Sequence, residues 1–174
     1  MEKKLFLLDA YALIYRAHFA FINNPRINSK GLNTSAIFGF CNSLLEVINN
    51  HKPTHLGVVF DPPGGSNREE VFSEYKANRQ EMPEDIRKSI PYIFDILNSM
   101  NIPTEMVSGF EADDLIGTLS KQAEKQGYKV FMMTPDKDFG QLVSENIFIY
   151  KPGRSGNPSE ILGVKEVCEK FEVE

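Results

Sequence analysis

Leu5-Phe6-Leu7-Leu8-Asp9 is a short apolar run that stops on a carboxylate. A strand with no polar alternation is covered on both faces, which is the habit of a parallel sheet held between two layers of helix. Two further runs repeat the pattern. Val58-Val59-Phe60 leads into Asp61, and Val130-Phe131-Met132-Met133-Thr134 leads through Pro135 into Asp136. In a parallel sheet these ends share one edge, where open α/β folds place their ligands. Glu111-Ala112-Asp113-Asp114 stands ahead of a helical pattern, and Asp138 lies two residues past Asp136. Seven carboxylates are therefore expected in one small region. A single aspartate after a strand is ordinarily a turn former or a helix cap, but three strand ends together with an acidic cluster ask for more. Like charges at that density persist only when paired or metal-bound, and the economical counterion is a pair of hard divalent cations such as Mg2+.

Outward from the runs, strands and helices alternate. Residues 11–21 are helix-like, and a loop over 23–33 leads to Thr34 or Ser35 as an N-cap. Ile37, Phe38, Cys41, Leu44, Leu45 and Ile48 follow at the helical period, and Ile86, Ile90, Ile93, Phe94 and Leu97 write a third helix. Residues 102–107 suggest a short strand, 113–125 a helix closed by Gly127, 147–150 another strand, and 163–174 the start of a charged helix. The sum is a doubly wound, mainly parallel α/β sheet flanked by helices. One stretch breaks the rhythm. Residues 62–83 form a long excursion from the acidic edge, opening on prolines and glycines and carrying Arg68, Tyr75, Lys76 and Arg79. Loops of this length at such a place are commonly functional.

Composition allows one globular domain: 174 residues, 41% apolar and 25% charged. No apolar run approaches the roughly 18 residues of a membrane span, and Met1-Glu2-Lys3-Lys4 leads straight into a strand, so the expectation is a cytoplasmic chain with no membrane partner. Cys41 and Cys168 lack C-x-x-C spacing and read as incidental thiols. The net charge of -5 ordinarily argues against a nucleic-acid partner. Setting the seven candidate carboxylates aside leaves 17 of the 24 acids against 19 Lys and Arg, so a polyanionic substrate is permitted.

Acids without a plausible Ser, Cys or His nucleophile favour metal-assisted attack by water on a phosphate ester. His18, His51 and His55 fall on helical or turn segments and read as structural. Neither G-x-x-x-x-G-K-[ST] nor G-x-G-x-x-G is present, which removes the main support for nucleotide-cofactor folds.

Asp9 with Tyr15-Arg16, Phe60-Asp61, Tyr75-Lys76-Ala77-Asn78-Arg79, Gly109-Phe110-Glu111-Ala112-Asp113-Asp114, and Asp136-Lys137-Asp138 with Gln141-Leu142-Val143 occur in that order across nearly the whole chain. The set resembles the 5′ nuclease domain at the N-terminus of bacterial DNA polymerase I, a member of the flap endonuclease group with a PIN-like sheet. The resemblance implies a metal-dependent 5′-3′ exonuclease and flap endonuclease. Its partners would be DNA with a 5′ flap or 5′ end and an RNA primer on DNA, with a polymerase domain in the same full-length chain. It further implies two Mg2+ ions, with Mn2+ as a substitute, acting in a monomer. Asp9, Asp61, Glu111 and Asp113 would hold the first ion, with Asp114 beside them, and Asp136 and Asp138 the second. Lys76 and Arg79, from a helical arch, would contact the scissile phosphate, and Arg16 would support it. Tyr15 would stack on the terminal base, and Arg68 and Tyr75 would join the DNA contacts.

Ala10 and Pro135 stand where the family often has glycine, which touches backbone shape rather than ligands. By the same resemblance, residues 1–174 form the N-terminal resolvase-like part, and the helix-hairpin-helix part that grips duplex is absent, leaving this stretch poorly active alone. Three other readings compete. A PIN-type ribonuclease lacks the Tyr75–Arg79 run, a catalytically silent nucleic-acid-binding module has no use for seven repelling acids, and a small-ester phosphatase would want a D-x-D at the first strand.

Overall fold

The computed structural model describes residues 2–63, 81–153 and 157–171. Among them, six strands form one sheet: β1 (Lys4–Asp9), β2 (His55–Val59), β3 (Thr104–Glu105), β4 (Lys129–Met133), β5 (Ile147–Lys151) and β6 (Glu160–Leu162). Five helices surround it: α1 (Ala10–Ala20), α2 (Ser35–Glu46), α3 (Glu84–Ser99), α4 (Ala112–Lys125) and α5 (Val164–Phe171). The strand order is β3-β2-β1-β4-β5-β6, parallel except for β6. The doubly wound α/β architecture is the one that the uninterrupted apolar runs demand.

Two cores result, one on each face of the sheet. Phe6, Leu8, Met133 and Tyr150 pack with Ile14 of α1, Phe40 and Leu44 of α2 and Ile93 and Leu97 of α3. Leu7, Val130, Met132, Ile147 and Ile149 pack with Ile116 of α4 and Val167 of α5. The alternation within each strand sorts its residues between the faces. Stacked rings tie the first core together, Phe6 on Phe131 at 4.6 Å and Phe60 on Phe94 at 4.2 Å between centroids. Helices α1 and α2 approach so closely that a Cβ at Gly39 would lie 2.6 Å from the Cβ of Ala17.

Some elements depart from the sequence reading. The strand expected over 102–107 shrinks to Thr104–Glu105, since Pro103 has no N–H to give and its carbonyl, with that of Glu105, meets β2 only at Val58 and Phe60. Helix α2 runs on into a π-helical turn, Val47–His51, closed by Lys52 at φ 46°. Strand β6 was not anticipated. The charged C-terminal helix is observed as Val164–Phe171, and α4 stops before Gly127, whose φ of 80° suits glycine. Cys41 and Cys168 are free, partly buried thiols, and among the described residues no helix is long and apolar enough to cross a membrane. The stretch 64–80 lies outside the described residues, so the arch expected there, with Arg68, Tyr75, Lys76 and Arg79, does too.

Candidate functional site

With β3-β2-β1 wound one way and β4-β5-β6 the other, the winding reverses between β1 and β4. A crevice opens at the C-terminal ends of the strands at such a reversal. Asp9 ends β1 at this point and is 7% exposed. One carboxylate oxygen accepts the Ala12 N–H at 3.2 Å, capping α1, and the other accepts the Thr134 hydroxyl at 3.1 Å. Thr134, fully buried just past β4, also accepts the Asp136 N–H at 3.2 Å. Asp136 in turn caps a 3-10 turn, Lys137–Leu142, by accepting the Asp138 N–H at 2.9 Å. A chain of hydrogen bonds thus joins the ends of β1 and β4.

The second group of acids gathers at the start of α4. Asp61, just beyond β2, accepts the Ala112 N–H at 2.7 Å, taking up a donor that a helix N-terminus cannot satisfy internally. Glu111, 4% exposed, is the N-cap, and its N–H donates to the Asp114 carboxylate at 3.1 Å in a reciprocal capping box. Asp113 and Asp114 lie in the first turn, where the helix dipole favours negative charge.

The two groups feel each other. Burial raises the Asp9 carboxyl to about 6, and the charges of Asp113 and Asp61 push the same way against the Ala12 and Thr134 hydrogen bonds. Tyr11, edge-on to Phe60 at 5.8 Å, has its phenol raised by burial and then by Asp61. Asp9, Asp61, Asp113 and Asp136 therefore share one edge. They do not yet share one ligating point: among the described residues no three Asp, Glu, His or Cys side chains stand together in metal-holding geometry. Each acid has its own anchor, Asp9 on α1, Asp61 on α4, Glu111 and Asp114 in their box and Asp136 on its turn. The donor set is nevertheless all oxygen, which fits a hard divalent cation.

Arg16 and Tyr15, which the resemblance assigns to the substrate, both lie on α1. Arg16 Nη2 donates to the carbonyls of Pro152 at 2.8 Å and Gly153 at 2.6 Å, tying α1 to the chain leaving β5. Tyr15 is partly buried against the first core, 6.3 Å from the ring of Phe19. Sequence reasoning passed over Thr134, although a lone hydroxyl closing an apolar run was a signal. His18 is buried, His51 packs between Phe6 and Tyr150, and His55 lies against Tyr128, all apart from the acidic edge.

The open, mostly parallel sheet flanked by helices has the PIN-like fold of solved 5′ nucleases such as the bacteriophage T5 5′-exonuclease. The chain belongs to the family described as 5′-3′ exonuclease, N-terminal resolvase-like domain, whose model matches residues 4–172. It is 38% identical over 172 residues to a 5′-3′ exonuclease of Aquifex aeolicus, covering 99% of this chain and 57% of that protein. It is 36% identical over 171 residues to the DNA polymerase I of Bacillus subtilis, covering 98% of this chain and 19% of the polymerase. The chain therefore spans about half of the first relative and a fifth of the second. In fold it resembles the bacteriophage T5 D15 flap endonuclease, solved as a pseudo-enzyme-product complex with DNA and metal ions, with a TM-score of 0.71 at 15% identity over 98% of this chain and 61% of that one.

Proposed function

We propose that this chain carries the acidic centre of a metal-dependent 5′-3′ exonuclease and flap endonuclease, hydrolysing phosphodiesters near the 5′ end of DNA flaps and RNA primers. The observation that carries the reading is the buried Asp9 at the reversal point, joined through Thr134 to Asp136 and within electrostatic reach of Asp61 and Asp113. Membership of the family supports it, as does the likeness of fold to an endonuclease crystallised with DNA and metal ions.

Asp9, Asp61, Glu111 and Asp113, with Asp114 beside them, would hold one divalent ion, and Asp136 and Asp138 a second, Mg2+ by preference with Mn2+ as a substitute. When bound, such ions supply acidity to a water and positive charge to the scissile phosphate. The protein's own part is orientation. Asp9 is fixed by two hydrogen bonds, and Asp61 is held by the one its Oδ1 accepts from the Ala112 N–H. Lys76 and Arg79 would grip the scissile phosphate, with Tyr15, Arg68 and Tyr75 along the DNA. The same reading places the domain in a monomeric cytoplasmic protein with a polymerase domain further along the full-length chain.

The test is single-turnover incubation of excess protein with a 5′-flapped duplex in Mg2+, beside the same reaction in EDTA and one with Asp9→Asn. Cleavage near the 5′ end, lost in both controls, is the expected result. Cleavage that persists in EDTA, or that is confined to single-stranded RNA, would overturn the reading.

A further inference from the structure

Register places Thr134 beside Asp9. Leu8 of β1 pairs with Met133 of β4, so the next residues along the two parallel strands, Asp9 and Thr134, lie side by side and turn to the same face. Thr134 follows four buried apolar residues, Val130 to Met133, and is itself fully buried. A hydroxyl has one proton to give. The Asp136 N–H can only donate, so it occupies the hydroxyl oxygen, and the proton goes to Asp9 Oδ2, 3.1 Å away. Asp9 Oδ1 accepts the Ala12 N–H. With both oxygens engaged, the carboxylate cannot turn about its Cβ–Cγ bond without losing a hydrogen bond, while each oxygen keeps a further lone pair for a cation.

The pattern continues along the chain. The Thr134 oxygen holds the N–H two residues on, and Asp136 Oδ1 holds the N–H two residues further, that of Asp138. Side-chain oxygens at 134, 136 and 138 thus build a stair of successive i to i+2 turns. Pro135 suits the first step, since it has no N–H to compete for the hydroxyl and its own φ is fixed. The stair begins on Asp9 and ends on the two acids assigned to the second ion. The plainer role for Thr134, a turn former at a strand end, needs only the bond to Asp136. It leaves unexplained the bond across to a buried carboxylate on another strand. Branching at Cβ restricts the threonine χ1, which favours one fixed direction for that bond.

We propose that Thr134 is a positioning residue of the ion site: its hydroxyl fixes the orientation of the Asp9 carboxylate and, through the Asp136 amide, sets Asp136 and Asp138 relative to the first group of acids. The inference rests on the divalent-ion reading above and adds to it a residue outside the ligand set.

The protein is titrated with Mn2+, the free ion being followed by its paramagnetic resonance signal, and each variant is melted in EDTA to establish that it is folded. Thr134→Val keeps the shape and removes the hydroxyl, and should weaken Mn2+ binding about ten- to hundredfold. Thr134→Ser keeps the hydroxyl and should bind nearly as the parent protein does. Thr134→Ala and Thr134→Ser differ by the hydroxyl alone, so this pair makes the same comparison should the valine variant not fold. Ser120→Ala removes a fully buried hydroxyl of α4 that has no hydrogen-bond partner among the described residues, and should leave the affinity unchanged. Equal Mn2+ affinity with and without the hydroxyl at position 134 overturns the positioning role and leaves the ion site standing. A loss in Ser120→Ala as large as that in Thr134→Val also overturns it, by assigning the effect to the packing of α4 on the sheet. If the parent protein binds no Mn2+, the ion reading itself fails, and the inference with it.

Discussion

Asp9 is asked to do two opposed things, to sit in a nearly dry place and to carry charge. Its carboxyl stands at about 6 rather than 3.8, chiefly through burial, which corresponds to about 3 kcal/mol set against the folded state at neutral pH. Because the folded value is the higher one, the contribution of the protonated form is complete below pH 3.8 and is lost as pH rises through about 6. In EDTA at pH 7.5, Asp9→Asn should therefore melt above the parent protein, and the gap should close below pH 4. Thermal melts of the pair across that window would show it. Equal melting at both ends would mean that the carboxylate carries no such penalty.

Asp61 allows a different separation of roles. Asn keeps an oxygen for the Ala112 N–H, so Asp61→Asn should retain the fold while abolishing divalent-ion binding at the first position. Asp61→Ala strips the acceptor and should cost a further 1–3 kcal/mol or so. Mn2+ titration and denaturant unfolding of both variants separate the effects. Asp9 and Asp61 were legible in the sequence because each follows an apolar run. The clamp of Arg16 was not, since its partners lie 136 and 137 residues away and are carbonyls, which any residue type supplies.

The helices hold these side chains only as well as they hold each other. Gly39 lets α2 lie against Ala17, and α1 is the helix that Asp9 caps. Gly39→Ala should force the pair apart at a cost of about 1–3 kcal/mol. Differential unfolding would measure that loss, and weaker Mn2+ binding by the refolded variant would show the displacement reaching Asp9. The helical periods of α2, α3 and α4 were readable from sequence because each buries one face. Strand β6 was not, since Glu160-Ile161-Leu162 is too short for a period of two to declare itself. Its pairing with β5 is a tertiary fact. The contact at Gly39 likewise depends on how two helices cross, which no local pattern encodes.

For the molecule taken whole, the ion site proposed at the reversal point would couple metal binding to stability. Ions that bind the folded state alone raise its melting temperature with concentration. Mn2+ should therefore stabilise the parent protein in a dose-dependent way that EDTA reverses, and should have little effect on Asp9→Asn. A flat response in the parent would argue against a cation at this edge. The architecture itself was largely legible, because three uninterrupted apolar runs leave few alternatives to a covered parallel sheet. The separate anchoring of each carboxylate was not, since it depends on backbone donors from helices that are remote in sequence.

The strand order also has a history in time. During synthesis β1 emerges first, yet the strand on its other side begins only at Lys129. Until β4 arrives, one edge of β1 stands unpaired, and Asp9 lacks the hydroxyl that steadies it. Pairings so distant along the chain form slowly, because a long loop must close before they contribute. The acidic edge is therefore completed late: a nascent chain stopped before β4 carries Asp9, Asp61, Glu111, Asp113 and Asp114 but lacks Thr134, Asp136 and Asp138.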